Sequence, residues 1–577
     1  MKNLLIIFFL CVTTMLHGQL DTIFTGTVEG DETGVGLRDG GFIINRAILN
    51  VDRINDTIPQ LRTELNTLTG WGDHAAAGYL SDSTFLSRSY SDYFIAANNA
   101  TAKEKSKADV VCDGTADQVQ INAALTAGYN VKLSSGQFNI AGVITATVSN
   151  VTSEGSGKNK TIIYQSNGAN ANVITIGGNY WTIKNLLIDG NTANNTGTCH
   201  GIYGTGRSNI LIDNCEIKNI EDYAVYIFGS SNSWYVANSY IHDVGTAIKG
   251  NTFSGQAPYN IYISYCHFHN TTTESQVYAK TDATGSYNWN VDHCRFTGTS
   301  GYMGLLFDLA KNSNVTNSYF AVDECPGAGV PANIRYYNGA SGKITGNTFA
   351  GAGNTTNEAY AGICLWGVSD VVVSNNYFTS LANKDGTGIS IEAYSTGYNV
   401  SNIVIDANIF YNLSTDVAKE AISLYSASTY VITNIAITNN VFRDDRGEGA
   451  MITYGVVTSD AGTVSSVNIS NNIFDGLAQI GIFLQASISN NILVSGNIFY
   501  DLPTAIRADD GDDLHVFGNK FVTCAVPITF NHANVTRPLV SENTMYGCTN
   551  SGSYATATGE LFGNNLWHDG TYDATAP

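Results

Sequence analysis

The sequence predicts an all-β fold: a right-handed, single-stranded parallel β-helix, a solenoid of about 14 coils, with an N-terminal helical, coiled-coil attachment region. Three observations predict it. From residue 181 onward one pattern recurs: two β-branched or apolar residues spaced by two, a small or amide residue, then an apolar residue two later, as in NILIDNCEI from Asn209, VVVSNNYF from Val371 and LHVFGNKF from Leu514. The closing apolar residues are Ile188, Ile217, Ile241, Phe268, Phe296, Phe320, Phe349, Phe378, Phe410, Phe442, Phe474, Phe499, Phe521 and Met545, at intervals of 22 to 32 residues. Each unit also carries a second alternating segment, such as AVYIF at Ala224, GICLW at Gly362, GISIE at Gly388 and AISLY at Ala421. Period-2 alternation at this variable spacing marks stacked strands with loops of unequal length, and three short strands per turn leave no room for a helix.

The elements follow in chain order. Residues 1–18 read as a secretory signal peptide: Lys2, an apolar run from Leu4 to Val12, and a polar stretch ending at Gly18-Gln19, with Leu16 where a small residue is usual. Residues 19–70 form an attachment and heptad segment, in which Ile44, Ala47, Val51, Ile54, Ile58, Leu61, Leu65 and Leu68 fill a and d positions. Ile-rich a and d positions lean toward trimers, although Pro59 breaks or kinks the helix, and a lone amphipathic helix packed on its own chain is the alternative. A linker over 71–107 follows. The β-helix cap spans 108–160, where Asp117 can cap a short helix with Val119, Ala123 and Ala124 on its face. The β-helix itself spans 161–550, and 551–577 is a C-terminal tail.

Two residues before the closing apolar position stand Asn347, Asn376, Asn408, Asn440, Asn472, Asn497, Asn519 and Asn543, preceded in earlier coils by Cys215, Cys266 and Cys294. Stacked amides at a tight bend satisfy one another coil by coil, so this column is structural. Its cysteines are expected to be inert thiols, because side chains stacked in parallel suit disulfide geometry badly. Without Cys11, nine cysteines remain and no C-x-x-C pair exists, so neither a zinc site nor a fully paired disulfide framework is indicated.

Composition excludes several functions. The 577 residues carry 49 Asp and Glu against 28 Lys and Arg, a net charge of −21 that repels phosphate backbones and anionic lipid. With 43% hydrophobic residues and 32 Tyr the chain is folded rather than disordered. No later segment approaches the apolar length of a membrane span, so a soluble mature protein is expected, with neither nucleic acid nor membrane insertion.

Three stretches carry a resemblance. GDETGVGLRDGGFIINRAIL from Gly30 and TGWGDHAAAGYL from Thr69 resemble motifs of phage tail fibres, and DGTADQVQINAAL from Asp113 is similar to the opening of pectate-lyase-like β-helices, tailspikes included. The resemblance implies a homotrimer attached to a virion or cell surface through its N-terminus, with a shaft that binds and often cleaves surface polysaccharide. The leader departs from that pattern, since virion proteins assemble in the cytoplasm. A secreted bacterial pectate-lyase-like polysaccharide lyase or hydrolase, or a non-catalytic β-helix adhesin, therefore stays open. Either way the location is extracellular or a virion tail.

The resemblance also implies that the GIxL-type segments are the first strand of each coil and that their outer face is a substrate groove. Alternation then reads outward columns. One runs Tyr226, Lys249, Tyr278, Leu306, Arg335, Cys364, Ser390; the next runs Phe228, Asn251, Lys280, Asp308, Tyr337, Trp366, Glu392, Tyr425, Tyr454. Lys249, Tyr278, Tyr337, Trp366, Glu392 and Tyr425 are the candidate sugar-binding residues, since rings stack on sugars and fixed charges orient them, and Tyr278, Tyr337 and Trp366 have no evident apolar layer to pack under. An ordinary solvated sheet face is the bland alternative. The candidate catalytic residues are Lys280 as base and Arg335 as neutraliser for lysis of a uronic-acid polymer, with Asp308 between them. Hydrolysis needs two carboxyls about 5 to 9.5 Å apart. Asp308 and Glu392, three coils apart at about 14 Å, do not qualify, which leaves Asp282, Glu324 or Glu358 as partners. A second outward set, Glu216, Tyr240, His242, His267, His269 and Arg295, reads as a solvated face rather than a metal site. No motif calls for a cofactor; Ca2+ stays open, without a nonapeptide calcium repeat to support it.

Overall fold

The computed structural model describes residues 92–573 apart from 281–285, 325–331, 351–360, 380, 382–386, 395–397, 414–418, 428, 447–451, 460–461, 486–487, 532–533, 550–560 and 568–571. The leader, the heptad segment and the two tail-fibre-like motifs lie outside the described residues.

The chain winds as a parallel β-helix. One coil shows the plan: Tyr223–Phe228 in a first sheet, Asn232–Ala237 in a second and Tyr240–Val244 in a third, after which Thr246–Asn251 begins the next coil beside Tyr223–Phe228. Among the described residues the first sheet has fifteen strands, from Ile144–Ala146 to Val526–Phe530. The expected alternation is present: Val225 and Ile227 are buried, while Tyr226 and Phe228 face out. Inside, Phe378, Phe410, Phe442, Phe474, Phe499 and Phe521 stack with ring centroids 4.6 to 5.0 Å apart and planes within 5° to 7°. That separation is the distance between neighbouring strands, so the ladder imposes face-to-face stacking on rings that otherwise prefer offset or edge contacts. The small residue opening each GIxL segment has its reason here: a Cβ at Gly388 or Gly455 would meet the ring of Phe410 or Phe474 within 2.8 Å.

The amide column sits at the bend between the second and third strands. Asn408 donates from its backbone N to Asn440 Oδ1 at 2.9 Å, and its Nδ2 reaches Asn440 Oδ1 at 3.0 Å and the Val373 carbonyl at 2.9 Å. The preceding residue takes the left-handed conformation, as in Asn375, Asn439 and Asn471. The repeated Asn-Asn dipeptide is thus two devices, the first amide tolerating positive φ and the second joining the ladder. Ser239 and Ser318 occupy the same position in earlier coils, and Asn565 extends the column. Every described cysteine is a free thiol. Burial pushes the Cys215 thiol up to about 12, and Cys294 well above its usual range.

The ends of the rod differ from expectation. Asp92–Ala96 pairs with Val110–Val111 and Asn130–Leu133, so part of the stretch read as linker is a strand of the second sheet. Its single period of alternation was too short to read. The cap helix is Gln118–Thr126, but its buried face is Ile121, Ala124 and Leu125, with Val119 60% exposed. Asp117 makes no side-chain cap; its carboxylate accepts the backbone N–H groups of Gly114 and Asn139. Within the stretch read as tail, Leu561–Gly563 and Asn565–Trp567 add to the second and third sheets, and Tyr572–Asp573 closes antiparallel on the latter. Among the described residues no helix is long and apolar enough to cross a membrane.

Candidate functional site

The first sheet brings the outward columns into register. Tyr226, Lys249, Tyr278, Leu306, Arg335, Cys364 and Ser390 are successive Cα partners, as are Phe228 with Asn251, and Lys280, Asp308, Tyr337, Trp366, Glu392 and Tyr425. Tyr454 does not belong to the column. A register shift at Lys419/Glu420 sets Tyr454 opposite Glu420 and Ser459 opposite Tyr425.

At the downstream end the Arg335 guanidinium lies 4.7 Å from the Tyr337 ring centroid and 4.2 Å from that of Trp366, with only 5% of the residue exposed. Trp366 donates from Nε1 to the Tyr394 carbonyl at 2.6 Å. The rings have an apolar bed after all: Tyr278 and Tyr337 pack on Met303 and Leu306, and Trp366 on Ala332, Ala361 and Cys364. Glu392 accepts from Ser390 Oγ at 2.8 Å and lies 3.8 Å from Cys364 Sγ. Tyr394 links Trp366 to Tyr425, at 5.9 and 6.0 Å between ring centroids.

In the middle, Lys280 is exposed beside Asp308. Burial raises the Asp308 carboxyl above its ordinary range, opposed by the Asn338 amide, which donates at 3.1 Å, and by the charges of Lys280, Arg335 and Lys249. Asp282 and Glu358 lie outside the described residues, as does the side chain of Glu324.

At the upstream end Lys249, Tyr278, Tyr226 and Phe228 of the predicted columns are joined by His200, Asp222 and Glu274, which alternation did not find. Lys249 is 2% exposed; its Nζ bonds Glu274 and sits 3.6 Å from the Tyr278 ring centroid. Burial brings Lys249 down to about 8, against the pull of Glu274. Asp222 is pushed up to about 6, by burial first and by the negative charge of Glu274 second. His200 sets its Nδ1 3.5 Å from Asp222 Oδ2 and stacks on Tyr223 at 5.1 Å; burial holds it neutral, its value lowered to about 4. Tyr203, Tyr226, Phe228 and the 54% exposed Phe253 continue as a wall of rings, with neighbouring centroids 5.2 to 5.5 Å apart. His200, Asp222 and Glu274 stand in the bends just ahead of first-sheet strands. A polar residue within three positions ahead of each strand start is the signal the sequence carries, but periodicity speaks only for residues inside strands.

The second outward set is spread over the third sheet. Tyr240 stacks on His242 and His267 at 4.1 and 4.9 Å, His242 faces Glu216 and Asp243, and His267 and His269 share Thr297 Oγ1. Among the described residues no three His, Cys, Asp or Glu side chains are grouped to hold a metal ion.

A family model described as periplasmic copper-binding protein (NosD) matches residues 354–572. Copper needs convergent soft or imidazole donors. In the described part of that stretch Cys364 is buried against Glu392, and the thiols of Cys524 and Cys548 meet each other with no third His, Cys, Asp or Glu grouped beside them, so the described residues do not fit such a site. None of the curated proteins matches the chain. Similar solved structures include the A-module of a mannuronan C-5 epimerase from Azotobacter vinelandii, with 17% identity, 67% of this chain and 95% of that one covered, and a TM-score of 0.35. A periplasmic alginate epimerase is similar at 13% identity, with 63% and 77% covered and a TM-score of 0.35. A surface adhesin of Streptococcus pneumoniae is similar at 15% identity, with 67% and 87% covered and a TM-score of 0.33. Each is a similarity and assigns no residue here a role.

Proposed function

We propose that the outer face of the first sheet binds a polysaccharide laid along the rod axis, and that the protein degrades the bound chain outside the cytoplasm. The observation that carries this reading is the in-register run of rings and charges on successive coils: Lys249, Tyr278, Lys280, Asp308, Arg335, Tyr337, Trp366, Glu392 and Tyr425. Rings supply flat faces for sugars, and charges of both signs fix register and direction. Lys280, exposed on this face, and Asp308, half-buried beside it, meet the charged groups of an acidic sugar. Arg335 adds positive charge from beneath the Tyr337 and Trp366 rings rather than by direct grip. The leader-like N-terminus and the periplasmic description of the family matched over 354–572 support an exported protein.

In its fuller form the reading is a spike: three chains joined through the heptads of residues 44–68, attached by the N-terminus, with the shafts presented to a cell-surface glycan. Light scattering on the chain from Gln19, beside one starting at Asp92, tests the trimer; three chain masses for the first and one for the second are expected, and a monomer in both overturns it. The groove is tested by affinity electrophoresis in gels containing alginate, polygalacturonate or dextran. Retardation in at least one gel is expected, weakened about tenfold or more by Trp366→Ala or Tyr337→Ala, in line with the roughly 1.4 kcal/mol per decade of affinity. Unchanged retardation in both variants overturns the groove.

A further inference from the structure

Beyond the rings and charges of the groove, three further groupings of reactive side chains stand out: the third-sheet histidines, the adjacent Cys524 and Cys548, and the cluster that the bends add around Lys249 and Tyr278 at the upstream end of the first sheet. The last carries furthest. Over four successive coils it gathers His200, Asp222 with Tyr223, Lys249, and Glu274 with Tyr278, on the same face as the groove and beside the exposed Phe253. An ammonium that is 2% exposed has no structural reason to be there unless it fixes its partner, and its partner Glu274 keeps 32% of its side chain open to solvent. His200 is 9% exposed, and its Nδ1, without a hydrogen-bond partner, is turned to the Asp222 carboxyl.

We propose that Asp222 and Glu274 are the bond-breaking pair of a glycoside hydrolase centre, Asp222 as the proton donor and Glu274 as the ionised carboxylate, with Lys249 and His200 as positioning residues. This rests on the groove reading above and deepens it. Hydrolysis of a glycosidic bond requires two carboxyls in unlike protonation states, and Asp222 and Glu274, two coils apart with their Cα positions about 10 Å from each other, have the wider separation of an inverting pair that admits a water between carboxylate and sugar. The surroundings divide the two in that sense. Burial first, then the charge of Glu274 and to a smaller extent that of Glu221, favour the protonated Asp222, beside Tyr226 and a neutral His200 and against the charge of Lys249 and the hydrogen bond from the Tyr223 phenol, while Glu274 holds Lys249 directly; Asp222 accordingly retains its proton up to about pH 6. In the reaction the Asp222 proton passes to the glycosidic oxygen as its bond to C1 breaks, the sugar on that side leaves as a neutral alcohol, and water adds to C1 while its proton goes to the Glu274 carboxylate. The proton on Glu274 returns through solvent to Asp222. The ring wall of Tyr203, Tyr226, Phe228 and Phe253 then seats the sugar on one side of the scissile bond. Elimination at Lys280 and Arg335 is the competing chemistry, and Arg335, covered by two rings, is badly placed to clamp a uronate.

The full chain is assayed on alginate, polygalacturonate, dextran and α-1,3-glucan, with binding and products followed separately. Wild-type cleavage with new reducing ends and no unsaturated product is expected. Asp222→Asn and Glu274→Gln should bind as the wild type does and lose 10²- to 10⁴-fold in kcat, the range for removing a general acid or base. Asp308→Asn should change KM more than kcat. In the wild type kcat/KM should fall above about pH 6 as Asp222 ionises, and Asp222→Asn should abolish that limb. Azide should restore turnover to Glu274→Ala and leave Glu274→Gln unrescued. Binding without cleavage, an unsaturated product, or full activity in either variant overturns the pair and leaves the groove standing. Absence of binding to all four polymers overturns the groove and the pair together.

Discussion

Lys249 places its ammonium 3.6 Å from the centroid of the Tyr278 ring while holding the Glu274 carboxylate, at 2% exposure. A cation stripped of water in this way is tolerated because an ion pair and a ring face replace its hydration.

The pH dependence of stability follows with a definite sign. Burial lowers Lys249 from its usual value near 10.5 to about 8, so between those values the unfolded chain binds the proton and the folded chain does not. This group makes stability rise as pH climbs from 8 to 10.5. Melting temperatures across that range should show the rise in the wild type and a flatter profile in Lys249→Met, which keeps the aliphatic stem.

His267 acts with the same sign in a lower pH window. Burial, then the charge of Arg295, lowers it from 6.5 to about 4, and its Nε2 meets Thr297 Oγ1 at 2.8 Å. Its contribution is present above pH 6.5 and is lost as pH falls toward 4, because only the unfolded chain takes the proton in that window. Urea midpoints at pH 7 and pH 4.5 should differ less in His267→Gln than in the wild type; an equal difference would rule out this assignment.

Asn440 is the position at which to break the ladder. It accepts from both the backbone N and Nδ2 of Asn408, and donates to Asn472 Oδ1 and to the Ile405 carbonyl. Asn440→Ala leaves buried donors and an acceptor unmade, a loss of about 3 kcal/mol or more in chemical denaturation. Asn440→Ser should cost less, since serine fills the same column at Ser239 and Ser318.

The thiols should divide by position. Cys215, Cys266 and Cys294 are buried in the bend column, and burial suppresses the thiolates of Cys215 and Cys294. Cys548 is half-exposed, and its partner Cys524 lowers it to about 7. Native alkylation at pH 7.5 followed by peptide mapping should label Cys548 and spare the three ladder thiols until the chain is unfolded.

Much of the candidate site was legible because the first-sheet columns follow from alternation and a coil-by-coil register. Tyr454 shows the limit. Column spacing alone places Tyr454 after Tyr425, but the strand Ile452–Ser459 carries a register shift, and Gly455, where a Cβ would meet the Phe474 ring, sets Tyr454 opposite Glu420 instead. Cap geometry shows another: Asp117 has the composition of a helix cap, yet the backbone N–H groups of Gly114 and Asn139 claim its carboxylate.

Winding, coil spacing, the aromatic stack and the amide ladder are determined by the sequence alone, since each depends on a residue type repeated at a local period. The gathering of His200, Asp222, Lys249 and Glu274 was decided only by the tertiary structure. Those residues come from four coils and from bends of unequal length, and it is the stacking of strands at a fixed separation, not any spacing along the chain, that sets one carboxyl against another and a lysine beneath them both.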